Sequence, residues 1–148
     1  MVLGRLYIIR NQNGDRINCT SAESVADTKR IAAIFRSLNV KRVIARQLAE
    51  ESIHLRPLQS AANICAHMKL DLELVDASHE IPSNDIEDIL VVWNRDEVNE
   101  LISRFGILGQ CAWPIDNYGG CVIIDASGWR FAAGFLDDRS HRGCCVVS

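Results

Sequence analysis

The sequence predicts an α/β domain of three layers, αβα, built around a mostly parallel sheet. Short runs rich in Ile, Val and Leu alternate with longer stretches whose apolar residues recur at helical spacing, and few long loops separate them. At 148 residues, 48% hydrophobic and 24% charged, the chain has the material for one core that buries most of the surface its unfolded form exposes. Strands that alternate with helices pair in parallel and carry helices on both faces.

The elements follow in order. Leu3 to Arg10 reads as a buried strand, and Asn13-Gly14-Asp15 as the turn after it. Thr20, three residues before Glu23, forms a capping box, and Val25, Ile31, Ile34, Phe35 and Leu38 continue the spacing, so a helix is expected from Ser21 to Leu38. Lys41 to Arg46 is a short strand centred on Val43 and Ile44. A helical region spans Leu48 to Lys69, with Pro57 marking either a helix start or a kink. Leu72 to Val75 and Ile89 to Trp93 are strands, and Asp96 to Phe105 is an amphipathic helix stopped by Gly106. Cys121 to Asp125 and Trp129 to Phe135 flank Ala126-Ser127-Gly128 as a closing hairpin. One domain is expected over 1–138, followed by a tail over 139–148.

Bulk properties exclude several functions. A net charge of -3 with both signs interspersed gives no basic face, so no nucleic-acid partner is expected. No apolar run approaches the roughly 20 residues of a membrane span, and the N-terminus lacks a charged-then-apolar leader, so a cytoplasmic chain is expected. Six cysteines without a C-x-x-C pair predict free thiols and no metal site.

In parallel sheets, ligands gather beyond the carboxyl ends of the strands. Arg10-Asn11 ends the first strand and Asn94-Arg95 follows Trp93. Each asparagine also has a plain reading, because Asn suits the junction of strand and turn.

Taken in order, these fragments resemble the histidine phosphatase (phosphoglycerate mutase-like) superfamily. Leu6-Tyr7-Ile8-Ile9-Arg10-Asn11-Gln12 stands where that family's first strand ends Arg-His-Gly. Val91-Val92-Trp93-Asn94 resembles its second signature, an apolar strand ending His-Gly before an amphipathic helix. Between them, Arg56-Pro57-Leu58-Gln59-Ser60-Ala61 is similar to its Arg-Ala-x-Gln-Thr-Ala helix start, Cys19-Thr20-Ser21-Ala22-Glu23 stands at its Leu-Thr-x-x-Gly, and Trp113-Pro114 before Tyr118 resembles a late loop of small relatives. The resemblance implies a histidine-phosphatase-like fold over about residues 3 to 135, with Arg10 and Arg56 as anion ligands and no cofactor. It implies catalytic positions at Asn11, Asn94 and, for the proton donor, Glu80.

Both histidine positions are asparagine. An amide nitrogen, its lone pair delocalised into the carbonyl, neither accepts a phosphoryl group nor titrates near neutrality. The arginines keep bidentate, permanently charged donors. The leading expectation is a small phosphorylated or carboxylated ligand bound by Arg10, Arg56, Asn11 and Asn94 without phosphohistidine chemistry. The alternatives are a repurposed isomerase, lyase or cyclase in the same pocket, or a membrane-tethered scaffold or regulatory protein whose pocket is vestigial. His54 and His79 beside Glu80 are substitute titratable groups, with a solvated surface as their plain reading. Asp15 and Asp116 read as turn formers, and Arg16, Lys29, Arg30 and Arg36 as solvated surface.

Cys145-Val146-Val147-Ser148 matches a C-a-a-X prenylation box, for which Ser at the last position predicts farnesyl, and Cys144 offers a palmitoylation site. A chance match is the alternative. A membrane partner is expected only if this tail is lipidated. Homo-oligomers are common in the superfamily, but no long apolar stripe here specifies one.

Overall fold

A computed structural model describes residues 4–10, 22–46, 56–75, 87–104 and 109–137, with 22–27 and 56 described by backbone alone. The elements are β1 (Leu6–Arg10), α1 (Ala22–Ser37), β2 (Arg42–Arg46), α2 (Arg56–Met68), β3 (Leu72–Val75), β4 (Ile89–Trp93), α3 (Val98–Ser103), β5 (Cys121–Asp125) and β6 (Gly128–Ala132). One 3-10 turn, Arg95–Glu97, leads into α3, and another, Phe135–Asp137, follows β6. The strands form one six-stranded sheet in the order β3-β2-β4-β1-β5-β6. Strands β3, β2, β4 and β1 are parallel, and β5 and β6 complete the sheet antiparallel.

Alternation along the strands builds two cores. Tyr7, Ile9, Val43, Ala45, Leu90 and Val92 pack under α1 and α2. Leu6, Ile8, Ile44, Ile89, Val91 and Trp93 face the other way, against Val98, Leu101 and Ile102 of α3 and against Trp113. Every residue of β1 and β4 is buried, as expected for central parallel strands covered on both faces. The three-layer αβα architecture expected from the sequence is thus present.

Helices α1 and α2 end alike. Asn39 (φ 66°) and Lys69 (φ 59°) adopt the left-handed conformation, and the next amides, of Val40 and Leu70, reach back to the carbonyls of Phe35 and Cys65 at 3.0 and 3.1 Å. These closures satisfy end carbonyls and turn the chain toward β2 and β3.

Several bounds differ from the sequence reading. The first strand begins at Leu6, because Gly4 lies against the Glu87 backbone, where an added Cβ would sit 2.2 Å from a carbonyl oxygen. Helix α2 is described from Arg56 to Met68, and the stretch over 48–55, which decides whether Pro57 marks a start or a kink, lies outside the described residues. The helix expected from Asp96 divides into the 3-10 turn and the shorter α3. The last strand stops at Ala132 instead of Phe135. Phe131 packs at a tilt against Trp113, ring centres 5.1 Å apart, whereas Phe135 packs beside Tyr7 at 5.8 Å in the opposite core. Residues four apart on one strand share a face, so the chain must break between these two rings.

Arg30 and Arg36 are more than solvated surface: each guanidinium donates to a backbone carbonyl, Arg30 to Leu136 and Arg36 to His67, while Lys29 is exposed. The turn over Asn13-Gly14-Asp15, the Thr20 and Glu23 capping box, Arg16, and the tail lie outside the described residues.

At the β3 edge, Arg42 grips Glu73 with two hydrogen bonds of 2.8 and 3.0 Å. That grip holds the Glu73 carboxyl below its ordinary value of 4.5, so folding releases a proton near that pH. The stabilisation is therefore present above that value and lost as pH falls through the lowered one. With Glu73 41% exposed, it is worth less than about 1 kcal/mol. Glu73→Gln is expected to be slightly less stable than wild type at pH 7 and equal to it near pH 3, read by urea melts at both.

Candidate functional site

The carboxyl ends of β1, β4 and β2 place Arg10, Asn94 and Arg46 along one edge of the sheet. Arg10 stands directly opposite Trp93 in the parallel pairing, one residue from Asn94. Helix α2 follows β2 and packs back over β2 and β4, so its N-terminus at Arg56 lies at this same edge. Its first turn carries no acidic residue, which leaves the positive end of the helix dipole uncancelled by its own side chains.

Arg10 is the most distinctive residue of the edge. Two positions beyond Ile8, it falls on the α3 side of the sheet, and it is only 6% exposed. Its Nη1 donates to the Ile115 carbonyl at 2.7 Å, and its guanidinium carbon lies 4.1 Å from the centre of the Tyr118 ring. Such stacking fixes the plane of the fork and so the direction in which its donors point.

Asn94 does what its plain reading anticipates. Its side-chain oxygen accepts from the Asp96 amide at 3.0 Å and caps the 3-10 turn. With the oxygen committed there, the NH2 half is the part of the amide that can still donate. The neighbouring cations are neutralised locally: Arg46 pairs with Glu97, and Arg95 with Asp96 at 2.7 Å.

A segment that the sequence marked only by Trp113, Pro114 and Tyr118 covers the edge on the α3 side. Asn99 exchanges two hydrogen bonds with the Cys111 backbone at 2.7 and 3.2 Å, and Arg95 donates to the Trp113 carbonyl at 2.9 Å. The buried Trp113 indole donates to the Asn117 carbonyl at 2.9 Å, and the Asn117 amide closes a turn onto the Pro114 carbonyl at 3.1 Å. Asp116 sits in that turn, as its sequence context suggested. The signal for this segment was a tryptophan in a polar loop, which has to find a buried seat.

Asn11, Glu80, His54, His79, Cys144, Cys145 and the Arg56 side chain lie outside the described residues. Among the described residues no group of His, Cys, Asp and Glu could hold a metal ion, and no helix is long and apolar enough to cross a membrane. Cys65, Cys111 and Cys121 are buried free thiols. Burial pushes Cys65 up to about 11 and raises the other two as well, so none of the three is a ready thiolate at neutral pH.

No family profile and no curated protein matches the chain in sequence. Solved structures do match in fold. The SixA protein of Agrobacterium tumefaciens, assigned as a phosphohistidine phosphatase, superposes with a TM-score of 0.57 at 14% identity, over 89% of this chain and 97% of its own. The alpha-ribazole phosphatase of Shigella flexneri gives 0.52 at 12% identity, over 87% and 95%. A mycobacterial glucosyl-3-phosphoglycerate phosphatase gives 0.50 at 8%, over 88% and 97%. The fold is the one these phosphatases share.

Proposed function

We propose that this protein binds a small phosphorylated or carboxylated ligand at the carboxyl edge of its sheet, through Arg10 and Arg56, without phosphohistidine chemistry. The observation that carries the reading is Arg10: a guanidinium held in a fixed plane at the end of the central strand, in a fold shared with enzymes named for phosphorylated substrates. The N-terminus of α2 adds backbone donors of the right polarity. Asn11 and Asn94 replace two groups that would titrate with two amides that only donate and accept hydrogen bonds.

The test is a thermal-shift titration with phosphate, sulfate and tungstate on wild type and Arg10→Ala. An anion at a hundred times its dissociation constant adds about 2.7 kcal/mol to the stability of the form it binds. The expected result is a clear shift in wild type and none in Arg10→Ala. Equal shifts in both proteins would remove Arg10 from the site, and no shift in either would leave a scaffold role.

A repurposed reaction of isomerase, lyase or cyclase type is the second reading. What supports it is Asn94, whose capping bond fixes the orientation of an amide that could serve as a donor to developing negative charge.

A further inference from the structure

We infer that the segment over residues 113–118 is a gate on the anion site, shut when Arg10 holds the Ile115 carbonyl and opened when an anion takes that place. The inference rests on the anion-binding reading above and adds to it a mechanism of access.

The geometry has three parts. First, the ends of the segment are fixed. Cys111 is tied to Asn99, and Trp113 is buried and packed against Phe131. At the far end the Gly119 carbonyl accepts from the Leu136 amide at 2.8 Å, and Gly120 lies so close to the Phe131 ring that a Cβ there would come within 2.6 Å.

Second, the middle is lightly held. Pro114, Ile115 and Asp116 are exposed, Ile115 by 72%, so little apolar burial keeps them down. The Asn117 side-chain oxygen is buried without a donor among the described residues, a cost carried by the closed form. Third, the contacts that do hold the middle include those to Arg10 itself: the Ile115 carbonyl on Nη1 and the Tyr118 ring over the guanidinium.

A neutral carbonyl and a doubly charged phosphate therefore compete for one fork. Both bonds have an ionised donor, but the phosphate adds a full opposite charge and can meet the fork with two parallel hydrogen bonds where the carbonyl accepts one, so the anion wins when it is present and the carbonyl substitutes when it is absent. With Arg10 only 6% exposed, an anion reaches the covered side of the guanidinium by lifting the exposed residues 114–116 away from Asn117, whose side-chain amide stays tied to the Ala133 carbonyl at 3.2 Å. The closed state then lowers apparent affinity by the fraction of molecules that are open, and anything that loosens the segment raises it.

Two measurements test this, both with inorganic phosphate as the probe. In wild type, saturating phosphate is expected to speed hydrogen exchange at the Asn117 amide, which caps the Pro114 turn, while β1 and β4 amides slow. Trp113→Phe, which keeps the buried ring and removes the indole bond to Asn117, is expected to tighten phosphate binding three- to tenfold, with Arg10→Ala abolishing it in that background. Phosphate bound through Arg10 with exchange at Asn117 unchanged or slowed, and with unchanged affinity in Trp113→Phe, would overturn the gate and leave the anion site standing. Absence of phosphate binding in wild type and Trp113→Phe alike would overturn both.

Discussion

Truncating Trp93 to alanine is expected to cost about 3–5 kcal/mol, the range for removing a large buried aromatic side chain. Trp93 is 2% exposed at the end of the central strand β4, in the core formed with Leu101, Trp113 and Ile8. Its neighbours are a strand on each side and a helix above, none of which can collapse into the space without breaking the parallel pairing with β1 and β2. Domains of this kind are stable by about 5–15 kcal/mol, so the substitution removes a large share of the total. In urea, with a slope of about 2 kcal/mol/M, the midpoint should fall by roughly 1.5–2.5 M. Leu74→Ala, at a side chain 47% exposed on the edge strand, should change stability by no more than about 0.5 kcal/mol. Equal costs for the two variants would show that the core does not close over Trp93. Because Trp93 sits opposite Arg10, its loss should also weaken phosphate binding through the floor of the site.

The parts of the fold legible in the sequence are those set by period and by chain-local signals. β4 runs where its apolar run predicted it because burial on both faces leaves a continuous Ile, Val and Leu signature, β3 was legible by the alternation of Leu72-Glu73-Leu74-Val75 although it lies at the sheet edge, and α1 ends within a residue of the expected Leu38. What escaped depended on contacts between distant residues. Nothing local to Trp129-Arg130-Phe131-Ala132 says that the strand must end so that Phe135 can reach Tyr7 and Phe35 in the other core. Arg30 looked like a solvated helix residue because its carbonyl partner lies 106 positions away. The same limit applied at the site. Arg10 was legible as the polar end of an apolar strand, but its partners Ile115 and Tyr118 are brought to it by a segment whose course is fixed by Asn99 and Arg95, residues with no motif of their own. Asn94 was legible in its plain reading, as the residue that suits the junction of strand and turn, and capping occupies the oxygen of its amide.

No phosphoenzyme is expected to form on this chain, and turnover of p-nitrophenyl phosphate should be about a millionfold below that of an enzyme with its covalent nucleophile intact. The reason lies in the atoms at the strand ends. Attack on phosphorus needs an available lone pair, and the amides of Asn11 and Asn94 have theirs delocalised. The described thiols do not substitute, since burial holds Cys65, Cys111 and Cys121 in the protonated form. The arginines bind charge but transfer no phosphoryl group. Quenching the protein during exposure to a labelled phosphate ester should therefore recover no acid-labile label, at any pH from 5 to 9, and Asn11→Ala should match wild type in residual rate. The informative contrary result is turnover above background. If Asn11→Ala abolishes it, the amide takes part in a reaction that is not phosphohistidine transfer. If Asn11→Ala spares it and Glu80→Gln or Arg10→Ala removes it, the pocket has acquired another chemistry on the old anion clamp. Either outcome would replace the ligand-binding reading with that of a repurposed enzyme, because binding alone gives no reason for a rate to depend on Asn11 or Glu80.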